Sequence, residues 1–420
     1  MPFPTILLFD LDASGHHSEY LTHLIEYQLE HRLPIKLIAL VSPIFATKHA
    51  KLTQRTSVDA SVFEWKYISE EEFQQYQAEN NVIKRGDFEW GLFCKYASVF
   101  QAKHGVLMYL DHLQLAILQK GNQAPCTFSG IFFRTTLTNY RPDSWKERIN
   151  FIRKKWMLRG LLFSKKLTNL YCLDPYAAEY IQEKWHSNKA LYLPDPVKTY
   201  PFAQEAPILL RQQLGIEPHR KVFLIFGFLD ERKGIIPTLE ALLQLPQKQQ
   251  QDACLLLVGG WTAEEKYRFD EKLKAVEGSN HLQIVKVDYF VEPELIQQFF
   301  ALSDVIMGLY QKHIGMSGIM VRSAFAHKPL LTYNYGLMGE LTRRNQLGIT
   351  VEPNNPEELQ EKIQFLLSQS KTVGNQTMMK EFSDHHQVKF FAECIFKKIK
   401  KYYPENQALQ KNLAPLHLEF

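Results

Sequence analysis

Short apolar runs of strand length alternate along the chain with longer segments whose apolar residues recur at helical spacing. That alternation is the signature of βαβ units around parallel sheets. TILLFD, KLIALVS, HGVLMYLD, TFSGIFFRT, NLYCLD and ALYLPD predict the strands of one sheet, with helical stretches such as EYLTHLIEYQLEHR between them. Around residues 195–215 the stretch DPVKTYPFAQEAP replaces the periodic pattern with proline and short polar residues, as a linker does. A second series follows, with KVFLIFGF, ACLLLVGG, LQIVKVDYF, DVIMGLY, KPLLTYN and GITVEP as strands. PTLEALLQL, EEKYRFDEKLKAV, PELIQQFFALS, GIMVRSAFA and PEELQEKIQFLL are its helices. The fold class read from this pattern is α/β, with two doubly wound Rossmann-like domains, residues 1–200 and 201–380, and a C-terminal helix and tail over 381–420. No short-period repeat interrupts it.

A chain of 420 residues exceeds one ordinary hydrophobic core, which agrees with two domains. With 45% hydrophobic and 22% charged residues it has the composition of a packed globular protein. The net charge of +4 gives no whole-molecule field suited to nucleic acid, so any basic function belongs to a local patch. Cys94, Cys126, Cys172, Cys254 and Cys394 contain no C-x-x-C pair, which fits a reducing cytoplasm and argues against a zinc ribbon or disulfide framework. The N-terminal apolar run lacks basic residues before it and is cut off by Asp10, so it reads as a buried strand rather than a signal peptide or membrane span.

Open α/β sheets bind ligands beyond the carboxyl ends of their strands, where strand order reverses, and two such domains are expected to face one interdomain cleft. Four loops after strands carry candidate chemistry. LDASGHHSEY holds Gly15, His16 and His17; LDERKG holds Arg232, Lys233 and Gly234; QKHIGMSG holds His313, Gly315, Ser317 and Gly318; YGLMGE ends in Glu340. A helix N-terminus has unpaired N–H groups and a partial positive charge, and glycine lets backbone approach an anion, so HIGMSG reads as a phosphate cradle. Lys233 adds a full charge that offsets a diphosphate. Its removal is expected to damage turnover far more than the fold.

The second half resembles the donor domain of GT-B glycosyltransferases, nearest to family 4 (group 1), through FGFLDERKGIIPTLEALLQL, LLLVGG, VDYFVEPELIQQFFALSDVIMGLY, SGIMVRSAFAHKP, YNYGLMGEL and LGITVEP. The resemblance implies a nucleotide-sugar donor domain at 201–380, an acceptor-binding domain at 1–200, and a C-terminal helix returning to the latter. It also implies that Lys233 contacts the donor diphosphate, that Gly15 lies near the meeting point of diphosphate and acceptor, and that Glu340 approaches the donor sugar. One departure stands out: counting back from Pro329 places Ile314 and Arg322 where that family carries two glutamates, the second of which holds the ribose. Arg322 at that place reaches a phosphate or faces solvent. The H-x-G of HIG is also similar to the phosphate loop of family 1 enzymes.

On the acceptor side His16, His17, Asp111 and His112 follow apolar strands, and histidine is suited to exchange protons or orient a hydroxyl. Arg134 after TFSGIFF is placed to pair with a charged acceptor or with Asp111. Two basic amphipathic segments, 144–167 and 391–403, allow a peripheral contact with an anionic membrane. The preferred reading of the first is that its apolar face packs on the sheet. Together these residues predict a cytoplasmic glycosyltransferase that moves a sugar from a nucleotide-diphosphate sugar to the hydroxyl of a glycan, lipid or small molecule. It is expected to require neither metal nor cofactor, since the basic loop can neutralise the leaving group. A non-catalytic nucleotide-sugar-binding protein and a sugar-nucleotide epimerase are the alternatives.

Overall fold

The computed structural model describes residues 3–13, 16–134, 137–138, 140, 142, 144–276, 278 and 281–403, with only the backbone of His16 described. Gly15 therefore lies outside the described residues. The described residues divide into two compact units: one takes those up to Thr138, those of Pro142–Leu193 and those from Val388, and the other takes Tyr140 and those of Pro194–Gln387.

The first unit contains a seven-stranded parallel sheet formed by β1 (Thr5–Phe9), β2 (Lys36–Val41), β3 (Phe63–Tyr67), β4 (His104–Leu107), β5 (Thr127–Phe132), β6 (Leu167–Cys172) and β7 (Ala190–Tyr192), in the order 3-2-1-4-5-6-7. Its strands read as near-continuous apolar runs because both faces are covered. Along β1, Leu7 and Phe9 join one core cluster while Ile6 and Leu8 join the other. The edge strand β3 escapes sequence reading for the same reason in reverse: FEWKY has one neighbour, is half-buried, and carries Glu64, which pairs with Lys36 at 2.8 Å. The helix Val388–Ile399 completes the second of these clusters with Phe391, Ile395 and Ile399.

The second unit contains a six-stranded parallel sheet formed by β8 (Lys221–Phe226), β9 (Ala253–Val258), β10 (Gln283–Val287), β11 (Val305–Gly308), β12 (Leu330–Tyr333) and β13 (Gly348–Val351), in the order 10-9-8-11-12-13. Phe223, Ile225, Leu255, Leu257 and Met307 share one core beneath it. Part of the stretch read as linker is a helix, Ala206–Gln213, which packs on the helix Pro293–Leu302. Both sheets change winding direction at one place, between β1 and β4 in the first and between β8 and β11 in the second. These are the positions where a doubly wound sheet opens a crevice at its strand ends.

A correction concerns the basic helix Trp145–Leu161. Leu158 and Leu161 are buried, but Trp145, Ile149, Ile152 and Trp156, at spacings of four, three and four, are 51–68% exposed, and Phe163 continues the stripe. The apolar face does not pack on the sheet as the sequence reading preferred, because only the last turn reaches the core.

Candidate functional site

In the second unit, the carboxyl ends of β8 and β11 bring four of the expected residues around one unexpected one, Tyr310. Lys233 closes a short 3-10 turn, Glu231–Lys233, and is only 5% exposed. Its Nζ donates to the Phe226 carbonyl at 2.8 Å and to the Tyr310 hydroxyl, and lies 4.3 Å from the Tyr310 ring centroid. The Arg232 guanidinium sits 4.8 Å from the same ring, and the Gln311 N–H donates to the Arg232 carbonyl at 2.8 Å, tying the two loops together. Ser317 Oγ donates to the Tyr310 hydroxyl at 3.2 Å, and His313 meets the ring edge-on at 5.3 Å while its Nε2 lies 3.2 Å from the Met316 carbonyl.

The next helix, Gly318–Phe325, begins with Ser317 at its cap position, so N–H groups of its first turn are presented beside this cluster. Gly234 has φ +68°, and a Cβ there would come within 2.4 Å of the Leu309 carbonyl, so local packing alone demands that glycine. Gly315 and Gly318 differ: a Cβ would meet only ordinary contacts at 3.7 and 3.5 Å. The fold does not need them small, and a ligand approaching closely would.

Three expectations change. Lys233 is buried and doubly hydrogen-bonded within the protein, so its removal is expected to cost the fold more than the sequence reading allowed. Glu340 is not at a loop end. It is the fifth residue of the helix Gly336–Arg344, outside the first turn, and pairs with Arg343 and, at 2.6 Å, with Arg344. Arg322 points its guanidinium at the Lys198 carbonyl, 3.4 Å away.

In the first unit, the ends of β1 and β4 assemble two histidine–carboxylate pairs. Asp10, 3% exposed at the exit of β1, lies with Oδ2 2.7 Å from His17 Nδ1, near the start of the helix His16–His31. Burial raises the Asp10 pKa, and the contact with His17 pulls against that rise. His17 Nε2 lies 3.8 Å from Asp12. His112 Nε2 meets the carboxylate of Glu89, which comes from the helix Val82–Val99 and is buried. Burial raises the Glu89 pKa; on His112 burial acts downward, but the Glu89 contact prevails and the imidazole pKa is raised. Tyr109 stands between the pairs, 5.2 Å from the His17 ring and 5.3 Å from the His112 ring.

Asp111 has another duty: its oxygens accept the backbone N–H groups of Phe133 at 2.9 Å and Arg134 at 2.8 Å, fixing the exit of β5. Its bond to Arg134 is thus made by backbone and not by the guanidinium. Burial raises its pKa. Asp10, Glu89, Tyr109 and Tyr310 were missed by sequence reasoning. Asp10 alone left a signal, a carboxylate terminating a buried apolar run.

Two α/β units with these parallel sheets define the fold of GT-B glycosyltransferases. HepE of Anabaena, solved with UDP, matches with a TM-score of 0.66 at 14% identity, over 94% of this chain and 100% of its own. Sucrose-phosphate synthase of Thermosynechococcus elongatus matches with a TM-score of 0.66 at 15% identity, over 95% of this chain and 98% of its own. Residues 208–383, most of the second unit, match the sequence model of the glycosyl transferases group 1. A putative glycosyltransferase of Bacillus subtilis, YtcC, is 28% identical over 34% of this chain and 35% of its own length. Spore coat protein SA of the same organism is 25% identical over 50% of this chain and 59% of its own. The chain therefore spans between about a third and three fifths of the curated relatives it matches. The expected architecture and the group 1 resemblance are both borne out.

Proposed function

We propose that the protein transfers a sugar from a nucleotide-diphosphate sugar, held by the second unit, to an acceptor hydroxyl held by the first. The observation that carries this reading is the placement of complementary chemistry at the two winding reversals: cations, a hydroxyl pair and a helix start at β8 and β11, and carboxylate-held histidines at β1 and β4. HepE binds UDP and, in a further structure, UDP-glucose, which supports a uridine nucleotide as the first donor to try.

In this mechanism His17, its Nδ1 side fixed by Asp10, takes the proton of the acceptor hydroxyl. The hydroxyl oxygen forms the new bond to the anomeric carbon as the bond to the diphosphate breaks, and the electron pair leaves with the diphosphate. Lys233, Arg232, His313 and N–H groups at the start of the Gly318–Phe325 helix stabilise that charge, with Gly315 and Ser317 shaping the cradle. With this charge in place the reaction proceeds without metal. Among the described residues no helix is long and apolar enough to cross a membrane. The exposed stripe of Trp145, Ile149, Ile152 and Trp156 supports peripheral work at an anionic surface: residues 144–167 hold eight Lys or Arg against one Glu.

The test is a panel of labelled nucleotide sugars, with and without EDTA. Transfer or slow donor hydrolysis, unaffected by EDTA, is expected. Binding without turnover identifies a non-catalytic binding protein, and conversion to another nucleotide sugar identifies an epimerase; either result defeats the proposal.

A further inference from the structure

Beside the His112–Glu89 pair lies a cavity of about 390 Å³, bounded by the turn after β4, the exit of β5, and the helices Val82–Val99 and Trp145–Leu161. Four cationic side chains line it: Arg85, Arg134, Lys154 and Lys155. The carboxylates at hand are otherwise engaged, Asp111 by two backbone N–H groups and Glu89 by His112. Among the described residues none of the four cations forms an ion pair, although Lys155 Nζ donates to the Tyr180 hydroxyl at 2.6 Å. Elsewhere on this unit lysines find carboxylates, as Lys95 does with Glu72 and Lys36 with Glu64. Four like charges around one small space repel one another, and an anion placed among them removes that cost.

Two further atoms point to a ligand. Arg85 Nε is buried and has no hydrogen-bond partner, although guanidinium is a strong, planar donor suited to phosphate. Gln114, 7% exposed and lining the cavity, donates through Nε2 to the Asp111 carbonyl at 2.8 Å, while its Oε1 is buried without a partner. An unmatched buried acceptor beside an unmatched guanidinium donor fits a ligand that brings both an anion and hydroxyl groups. The volume stands near the lower end for small-molecule sites, so it suits a single sugar or polyol ring with its substituent, not an oligosaccharide.

We propose that the acceptor is a phosphorylated sugar or polyol whose phosphate is bound by Arg85, Arg134 and Lys154, with one of its hydroxyls received by Gln114. This rests on the glycosyl-transfer reading and names its acceptor class. The phosphate belongs either to a soluble sugar phosphate or to a lipid headgroup.

The experiment measures binding to the full chain by calorimetry, with glucose, glucose 6-phosphate and monomeric dihexanoyl phosphatidylinositol as probes. UDP binding serves as the control on the second unit. At least one phosphorylated probe is expected to bind about tenfold or more tighter than glucose, and Arg85→Gln/Lys154→Gln is expected to abolish the preference while UDP affinity and thermal unfolding stay unchanged. Preference for the soluble probe or for the lipid assigns the source. Equal binding of charged and neutral probes, or a preference that survives the double substitution, overturns the proposal. Absence of all nucleotide binding with the phosphate preference intact overturns glycosyl transfer instead, so the two failures are distinguishable. Where the double variant unfolds, Arg85→Lys provides the second measurement: it keeps the charge but not the planar fork, and should retain part of the preference.

Discussion

In the second unit the cation nearest the strand ends is buried and held by two protein acceptors, whereas the first unit buries its carboxylates and leaves its cations long and partly exposed. Lys233 is fixed by the Phe226 carbonyl and the Tyr310 hydroxyl, and a Cβ at Gly227 would come within 3.0 Å of its Nζ. Asp10 and Glu89 are 3% and 4% exposed, while Arg134 and Lys154 lie at the surface. A group that binds the same diphosphate in every turnover gains from being preorganised, because no reorganisation is needed as charge develops. A group that recognises a variable partner gains from reach. We read the first arrangement as donor chemistry and the second as acceptor chemistry.

The strongest way to break this contrast is Asp10→Asn. It keeps the shape of the site but removes the charge that orients His17, and should lower kcat by about a hundredfold or more with donor affinity unchanged. A wild-type kcat would leave His17 without the role assigned to it; if Glu89→Gln is the damaging change instead, His112 takes that role.

Lys233→Met should weaken nucleotide binding by about ten- to a hundredfold and also lower Tm, since it strips a partner from two buried oxygens. Calorimetry and thermal unfolding on one preparation check both. Lost binding with an unmoved Tm would contradict the buried placement.

The two units share a buried histidine whose effect pH reveals. Burial depresses the His104 pKa to about 3 in the first unit, where the ring lies 3.0 Å from both Thr127 Oγ1 and Ser129 Oγ. In the second it depresses His386 to about 4. Unfolded histidine binds its proton near pH 6.5, so between that value and the folded pKa the unfolded state holds more protons and stability falls as pH falls. Each group contributes at most about 1.4 kcal/mol per pH unit in that window. Denaturant melts from pH 7 to 4.5 should show the decline, and His104→Gln should flatten it for the first unit. An unchanged slope in that variant would assign the acid sensitivity elsewhere.

A smaller change sharpens the role of Tyr310. Tyr310→Phe keeps the ring beneath Arg232 and Lys233 but loses the hydroxyl, and should cost about threefold to tenfold in nucleotide affinity. The smallest expected effect on the fold is that of Trp145→Ser/Trp156→Ser. It should leave stability within about 0.5 kcal/mol yet reduce sedimentation with vesicles containing phosphatidylserine. Undiminished vesicle binding would remove the stripe from the membrane reading.

Legibility followed the distance over which a residue finds its partners. Apolar runs of strand length made twelve of the thirteen strands among the described residues legible, and only β3, whose FEWKY carries two charges, was not. The donor loops were readable because Arg232, Lys233 and Gly234, or His313 to Gly318, stand together in the sequence. Glu89 and His112 are 23 positions apart and Lys233 and Tyr310 are 77, and no local pattern couples them. The stripe of Trp145 to Trp156 was legible as amphipathic, but periodicity cannot say whether a face turns to a core or to solvent.

The return of the chain to its first unit sets an order on synthesis. Phe391 packs 4.8 Å from the ring of Tyr20, and Ile395 and Ile399 close the core around Leu24 and Ile25, whereas Tyr20, Leu24 and Ile25 are made before the whole second unit. A ribosome adds roughly 5–20 residues per second, so the Tyr20 face waits roughly 10–40 s for its cover while residues 194–387 emerge. During that interval the nascent first half carries an open apolar groove until the helix Val388–Ile399 arrives.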